Sequence, residues 1–248
     1  MEPLSFGRLW PETLSALARH LDLLLPVAGA FLFLPQLLFA WHLGDVQPEQ
    51  IFKGDRLFGD LTAIALLATV SLIGQLVIAF VIFNDGTSDR TLGQVLKGAI
   101  LLLLPGIAAT LIQGMAVGFG LLFLVIPGIW LLARLSVTIP LLATGSHDPI
   151  QALRGSWQLT DGHSLRILGM LGILFLGFMM ITLGITGLGS AVGVLTTLAA
   201  GKPPEGWGIG RWIFEALAAG ASALFGMAYV AFLATLTRAL QARQQEQA

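Results

Sequence analysis

Arg134 is the charged side chain that lies furthest inside a long apolar stretch of this sequence, which runs from position 99 to 145. A guanidinium group among apolar residues is costly, so it marks a candidate site for an ion or an anionic substrate. The residue also fits a structural role, either in a polar pair or with its head reaching a lipid headgroup. The candidate partners are Gln113, Gln75 and Glu215. Both roles of Arg134 stay open at the level of sequence.

Histidine and acidic residues gather once along the chain, at His147, Asp148, Asp161 and His163. Imidazole and carboxylate groups are common metal ligands, but this spacing matches no established ligand pattern. The chain has no cysteine, which excludes disulfides, thiolate metal sites and cysteine catalysis. The sequence also contains no phosphate-binding loop, nucleophile elbow or zinc-protease motif. We therefore predict no metal, no cofactor and no catalytic residue, and hence no enzyme.

The composition of the chain indicates the class of protein and the kind of secondary structure in which these side chains lie. Of 248 residues, 56% are hydrophobic and 11% are charged, and the mean hydropathy is +0.85. Soluble domains carry roughly 25% charged residues, so this composition excludes a soluble domain and a disordered chain. The net charge of −1 offers no basic surface for nucleic acid. The chain is predicted to be an all-α membrane protein that forms a single integral membrane domain over 1–248.

Six transmembrane helices are predicted from the apolar stretches, since one span needs about 20 apolar residues. The spans are 21–41, 61–83, 99–125, 128–144, 167–188 and 212–236. The stretch from 99 to 145 is too long for one span and predicts a tight hairpin. We place its turn at Pro127 and Gly128, because proline suits the start of a helix after a short turn. The alternative position for the turn is 118–120.

Basic residues predict the orientation of the spans. With the N-terminus inside, eight of the 13 lysines and arginines fall in inner segments, four fall in outer segments and Arg134 lies within a span. Inner loops of membrane proteins carry an excess of basic residues. The sequence therefore predicts that the N-terminus and the C-terminus are both cytoplasmic.

Three short helices on the inner surface are predicted at about 11–20, 88–98 and 148–160. Residues 91–99 and 148–156 share a glutamine, a leucine, a basic residue and a glycine at the same spacing. The chain can thus be divided into three pseudo-repeats, at about 8–83, 88–145 and 146–238, each a surface helix followed by a two-span hairpin. The alternative is that surface helices resemble one another because the membrane interface selects similar residues.

The helix at 148–160 carries side chains that suit a membrane surface. Ile150, Leu153 and Trp157 share one apolar stripe, and Arg154 lies off that stripe. An amphipathic helix of this kind can lie in the plane of the lipid headgroups. It can equally pack its stripe against neighbouring spans, and the two arrangements are compatible.

The stretches 127–136 and 152–162 resemble the glycerophosphoryl diester phosphodiesterase membrane-domain family of bacterial inner-membrane proteins. The family pattern is Pro-Gly-Ile, an arginine a few residues later, then Ala-Leu-x-x-Ser-Trp-x-Leu and a glycine. The residues that fit it are Pro127, Gly128, Ile129, Arg134, Ala152, Leu153, Ser156, Trp157, Leu159 and Gly162. The resemblance implies a six-span bundle with interfacial helices, in the bacterial inner membrane.

The resemblance does not imply the activity in the family's name. Some members join the membrane domain to a soluble phosphodiesterase domain, and we expect this chain to lack that domain and its metal-binding acidic and histidine residues. The family's usual acidic residue between Pro140 and the following surface helix is also missing, since residues 143–147 are Ala-Thr-Gly-Ser-His. Any role of that acidic residue is therefore not expected here.

These observations lead to two functional hypotheses. The first is a non-enzymatic inner-membrane protein that acts through membrane lipids, with other membrane proteins or a second copy of the chain as further partners. The second is a small-solute or ion transporter or channel, which Arg134, the glycine-rich fifth span and the repeated hairpins favour. Few acidic residues lie near the spans to carry a coupled ion, which places this hypothesis second.

Overall fold

A computed structural model describes residues 5–43, 57–83, 92–144, 148–200 and 209–247, which are almost entirely helical and contain no strand. This arrangement confirms the all-α fold predicted from composition. The helices of the described residues are α1 (Phe6–Arg19), α2 (Leu21–Ala28), a π-helical segment (Gly29–Phe33), α3 (Leu34–Leu43), α4 (Leu57–Phe83), α5 (Leu92–Leu101), α6 (Leu103–Phe123), α7 (Val125–Leu135), α8 (Thr138–Ala143), α9 (Pro149–Leu159), α10 (Ser164–Ala200) and α11 (Ile209–Gln247).

Six helical stretches among the described residues are long and apolar enough to cross a membrane, as predicted. They are Leu21–Trp41, Phe58–Phe83, Leu103–Phe123, Val125–Ala143, Ser164–Leu195 and Trp212–Glu246. The fifth is longer than the predicted 167–188, because residues 189–200 contain no proline and no charged residue that would end a helix. Its 32 residues measure about 48 Å along the helix axis, against a hydrocarbon layer of about 30 Å.

The turn between the third and fourth spans lies at Leu124, which has an extended backbone. It falls within three residues of the predicted turn at Pro127, whereas the alternative at 118–120 lies inside α6. The helices approach closely just beyond this turn. A Cβ atom on Gly128 would lie 2.5 Å from the backbone nitrogen of Leu121, so only glycine fits there.

The first span changes its helical register between Pro26 and Pro35. Residues Gly29–Phe33 form a π-helical turn, and the N–H of Leu34 donates to the carbonyl of Gly29. Because Pro35 has no N–H, the ordinary hydrogen-bond ladder is interrupted at this point. Helix α4 packs tightly here, since a Cβ atom on Gly74 would lie 2.6 Å from Cβ of Phe31.

A short helix precedes each pair of long helices, as the predicted pseudo-repeats require. Helix α1 begins at Phe6, five residues before the predicted start, and its Thr13 hydroxyl lies 2.8 Å from that of Thr235 on α11. Helix α5 covers 92–101, and predicted residues 88–91 lie outside the described residues. Helix α9 matches its prediction, with Asp148 accepting from the N–H of Ile150 and Pro149 in the first turn.

The most tightly packed region lies where the C-terminal halves of α4 and α11 meet α1, α2 and α8. The largest completely buried side chains are Leu24, Leu76, Ile78, Ile82, Leu142, Ile167, Phe232 and Leu236. Arg238 of α11 donates to the carbonyl of Ile82, which places positive charge at the C-terminal end of α4. In contrast, α6 and α10 expose apolar side chains such as Leu122 and Met180, as expected of helices that face hydrocarbon.

Candidate functional site

Arg134 lies at the end of α7 and binds the C-terminal end of α9. Its Nη1 donates to the carbonyl oxygen of Trp157 at 3.0 Å, and its Nη2 donates to Oδ1 of Asp161 at 2.7 Å. The arginine is 9% exposed, whereas the Asp161 side chain is 74% exposed. The guanidinium therefore supplies a positive charge and a donor to carbonyls at the end of a helix, where both are favourable.

Two tryptophans complete the surroundings of this guanidinium. Its central carbon lies 4.9 Å from the ring centroid of Trp130 and 4.9 Å from that of Trp157. The two indole rings meet edge to face, with centroids 5.1 Å apart. The Nε atom of Arg134 is buried and has no acceptor. Attraction between the cation and the two ring faces therefore compensates part of the cost of burial.

The backbone of Arg134 is also tied to α9. Its carbonyl oxygen accepts from the Ser156 hydroxyl at 2.8 Å and lies 3.1 Å from the Thr160 hydroxyl, which shares its hydrogen with the carbonyl of Ser156 at 2.8 Å. Helix α7 ends one residue later, so this carbonyl has no partner within its own helix. Ser156 and Thr160 are completely buried. The end of α7 and the end of α9 thus satisfy each other's polar groups.

The partner of Arg134 differs from those predicted. Asp161 takes the place that the sequence analysis gave to Gln113, Gln75 or Glu215. The physical reason is that the fourth span breaks after Leu135, and α9 folds back onto that break instead of lying apart from the spans. Arg134 is consequently level with residues 157–161, immediately before the fifth span begins at Ser164. Its head meets protein groups rather than an open ion site.

Asp161 is held in the charged form by its neighbours. The hydrogen bond and positive charge of Arg134 lower the pKa of the Asp161 carboxyl, and the N–H of Gly162, at 3.0 Å, lowers it further. Gly162 has a φ of +69°, a conformation that glycine adopts without strain. The turn that presents Asp161 to Arg134 therefore depends on a glycine at position 162.

Helix α9 does not bury its predicted apolar stripe. Its buried face is formed by Ala152, Ser156 and Leu159, which pack on the spans. Ile150 is 52% exposed and Trp157 is 39% exposed, while Leu153 is half-buried. Arg154 is exposed as well. The helix is thus anchored through small and polar residues, and it presents apolar and basic side chains outward.

A groove of about 700 Å³ lies between α4, α6, the α7–α8 segment and α11. It brings together two of the predicted candidates, Gln75 and Gln113. Arg134 and Glu215 are not among its lining residues. The lining also contains the hydroxyl side chains Thr69, Ser71, Thr110, Ser136 and Tyr229. The structure therefore separates the predicted polar residues into a neutral groove, an arginine bound to α9, and a glutamate at the start of α11.

Three neighbours of Arg134 were not predicted as its partners, namely Trp130, Thr160 and Asp161. The one signal available was the resemblance described above, because its pattern includes Arg134, Ser156, Trp157 and Gly162, which lie at one site in the structure. His147 of the suggested histidine cluster lies outside the described residues, and within those residues no group of three potential ligands could hold a metal ion.

Comparison with models of protein families, with characterised proteins and with solved structures finds no match to this chain.

Proposed function

We propose that this chain is a non-enzymatic multi-pass protein of the bacterial inner membrane, with both termini in the cytoplasm, which acts through membrane lipids at α9. The observation that carries the proposal is the attachment of α9 by Arg134, Ser156 and Thr160. This attachment fixes the orientation of the helix. It leaves Ile150 and Trp157 facing outward beside a bundle that exposes many large apolar side chains.

The outward side chains of α9 match the chemistry of a lipid interface. Indole rings prefer the headgroup region, and an aliphatic side chain such as Ile150 gains from contact with acyl chains. Arg154, which is exposed on the same helix, can approach an anionic headgroup. The proposed partner is therefore the lipid that surrounds α9.

The absence of enzymatic activity is proposed on the charges of the site. Arg134 and Asp161 are paired with each other, and the groove is lined by side chains that are neutral at pH 7. Asp161 and His163 lie close together, but the Nδ1 atom of His163 contacts the backbone carbonyl of Asp161, so neither place pairs a side-chain acid with a side-chain base. A protein that contacts lipid without catalysing a reaction is consistent with both the Arg134–Asp161 pair and the neutral groove.

The proposal can be tested on single-cysteine variants, because the natural chain has no cysteine. Ile150→Cys is labelled with an environment-sensitive fluorophore in the full-length protein, reconstituted in phosphatidylethanolamine and phosphatidylglycerol vesicles. Nitroxide on lipid should quench this label strongly, and aqueous iodide should quench it weakly. Gln151→Cys, on an exposed neighbouring position, is the matched control and should show the reverse order. Equal quenching of both labels by iodide would contradict lipid contact at α9.

A small-solute transporter is the second candidate, and the groove with Gln75 and Gln113 favours it. Coupling to an ion is not supported, because no groove residue is an aspartate, glutamate, lysine, arginine or histidine. Uptake of neutral solutes such as glycerol and urea into reconstituted vesicles distinguishes this candidate. Flux above that of protein-free vesicles, lost in Gln113→Leu, would favour transport over lipid contact alone.

A further inference from the structure

The groove contains polar side chains that the protein itself does not satisfy. Ser71 and Gln75 on α4, Gln113 on α6 and Tyr229 on α11 line it, and their side chains make no hydrogen bond within the described part of the chain. Each is half-buried. Ser71 and Gln75 are four residues apart and share one face of α4. Three different helices thus direct free hydrogen-bonding groups toward one space.

The other hydroxyl groups of the lining behave differently. Thr69 and Thr110 donate to carbonyls of their own helices at 2.7 and 2.8 Å, and Ser136, which directly follows α7, donates to the carbonyl of Ala133 at 2.9 Å. These contacts consume the only hydrogen that a hydroxyl can donate. The donors that remain for a ligand are therefore the two carboxamides and the hydroxyls of Ser71 and Tyr229.

Leaving such groups without a partner is unfavourable in a membrane-spanning bundle. An amide or hydroxyl in an apolar medium needs a hydrogen bond to compensate for the loss of water. A carboxamide offers two donors and one acceptor oxygen, so it recognises hydroxyl and carbonyl oxygens equally well. Water or a polar ligand that enters the groove can supply these hydrogen bonds.

The charge and shape of the groove restrict what this partner can be. Its lining has no charged side chain, and Arg134 is occupied by Asp161 and α9, so an ionic group would enter uncompensated. Most of the remaining lining residues are apolar, among them Leu72, Ile107 and Val230. A volume of about 700 Å³ falls in the range of sites that enclose most of a small ligand.

We propose that this groove is a binding site for an uncharged lipid with hydroxyl and ester carbonyl oxygens, of the diacylglycerol class. The glycerol hydroxyl and ester oxygens meet Gln75, Gln113, Ser71 and Tyr229, and the acyl chains follow the apolar lining into the bilayer. The groove is separate from the surface of α9, so the test of lipid binding in the groove is independent of the test of the function proposed above.

The test is photo-crosslinking of the full-length protein, in detergent micelles, with a diazirine analogue of dioleoylglycerol. The competitors are dioleoylglycerol, dioleoyl phosphatidic acid, which adds only a phosphate, and hexadecane, which lacks oxygen. Dioleoylglycerol should compete at concentrations about tenfold lower than either of the others, as expected for one hydrogen bond gained or one charge left uncompensated. Equal competition by phosphatidic acid or hexadecane would overturn the proposal.

A variant pair gives a second measurement. The double variant Gln75→Leu, Gln113→Leu keeps the side-chain size and suits apolar helices, and its labelling should fall about tenfold or more. Gln158→Leu, on the exposed face of α9, is the matched control and should label like the natural protein. Unchanged labelling of the double variant, or labelled peptides that lie outside α4, α6 and α11, would also overturn the proposal. The competition order in the natural protein decides the question even if the double variant fails to fold.

Discussion

Nη2 of Arg134 lies 2.7 Å from Oδ1 of Asp161, across 27 residues of sequence, and this contact joins the fourth span to the turn that starts the fifth. The two side chains differ in exposure, because that of Arg134 is buried and that of Asp161 is exposed. The arginine therefore depends on protein neighbours on several sides, whereas the carboxylate depends mainly on the arginine.

Replacing Arg134 with leucine should destabilise the protein by about 2 kcal/mol, from the loss of two cation–ring contacts and one hydrogen bond to a carbonyl. Arg134→Lys should be only partly tolerated, since an ammonium group lacks the planar fork that reaches both Trp157 and Asp161. Thermal unfolding in detergent measures both changes. Arg154→Leu, on the exposed side of α9, is the control and should leave the melting temperature unchanged. If both Arg134 variants melted at the same temperature as the natural protein, these contacts would make no contribution to stability.

Acidification should weaken the contact between α9 and α7. Because Arg134 lowers the pKa of Asp161 below its usual 3.8 in the folded state, the pair stabilises the protein fully above that value. The stabilisation is lost as the pH falls through the lowered pKa. The melting temperatures of the natural protein and of Asp161→Asn should therefore differ at about pH 6, and the difference should shrink as the pH falls below 3.8. A difference that persists unchanged in acid would exclude a contribution from the charge of Asp161.

Gly128→Ala should destabilise the hairpin of the third and fourth spans. The added methyl group would lie 2.5 Å from the backbone of Leu121, which cannot move independently of its helix. Overpacking of this kind costs about 1–3 kcal/mol. Gly118→Ala, on the facing helix, has no atom within 4 Å of the added carbon and should be neutral or slightly stabilising. Equal melting temperatures for the two variants would contradict the close approach of α6 and α7.

Single cysteines also test the proposed orientation. Ser5→Cys and Gln245→Cys are exposed and lie near the two ends of the chain. In intact bacterial spheroplasts, a maleimide that cannot cross the membrane should label neither, because both ends are proposed to be cytoplasmic. Inside-out vesicles should allow both to react. Labelling of either position in intact spheroplasts would reverse the assignment of that terminus.

The sequence was sufficient to predict features that depend on apolar length and on local helix signals. The first span was predicted at 21–41, as found, because its limits are set by a continuous apolar run. Asp148 and Pro149 marked the start of α9 for the same local reason. The extension of α10 to Ala200 was missed, since small residues such as Gly189 and Ser190 resemble the end of a span but do not break a helix.

The site itself depended on tertiary structure that no local pattern contains. The break between α7 and α8 has a local cause, because Pro140 cannot donate to the carbonyl of Ser136 four residues earlier, but the return of α9 to that break follows from no local pattern. That break allows α9 to pack back and brings Asp161 to Arg134. The groove was not predicted, because Gln75 and Gln113 were selected only as candidate partners of Arg134, and their common location came from the packing of α4 against α6.

The length of α10 links this protein to the physical state of its membrane. A straight helix of about 48 Å in a hydrocarbon layer of about 30 Å has to tilt from the membrane normal, bend, or thicken the lipid around it. Standing upright would expose Leu195 and Leu198 to water. A thicker bilayer lets the helix stand more upright, and a thinner one forces it to lean further. Phe225 of α11 stacks on Phe178 of α10, so a change in the tilt of α10 would also move α11.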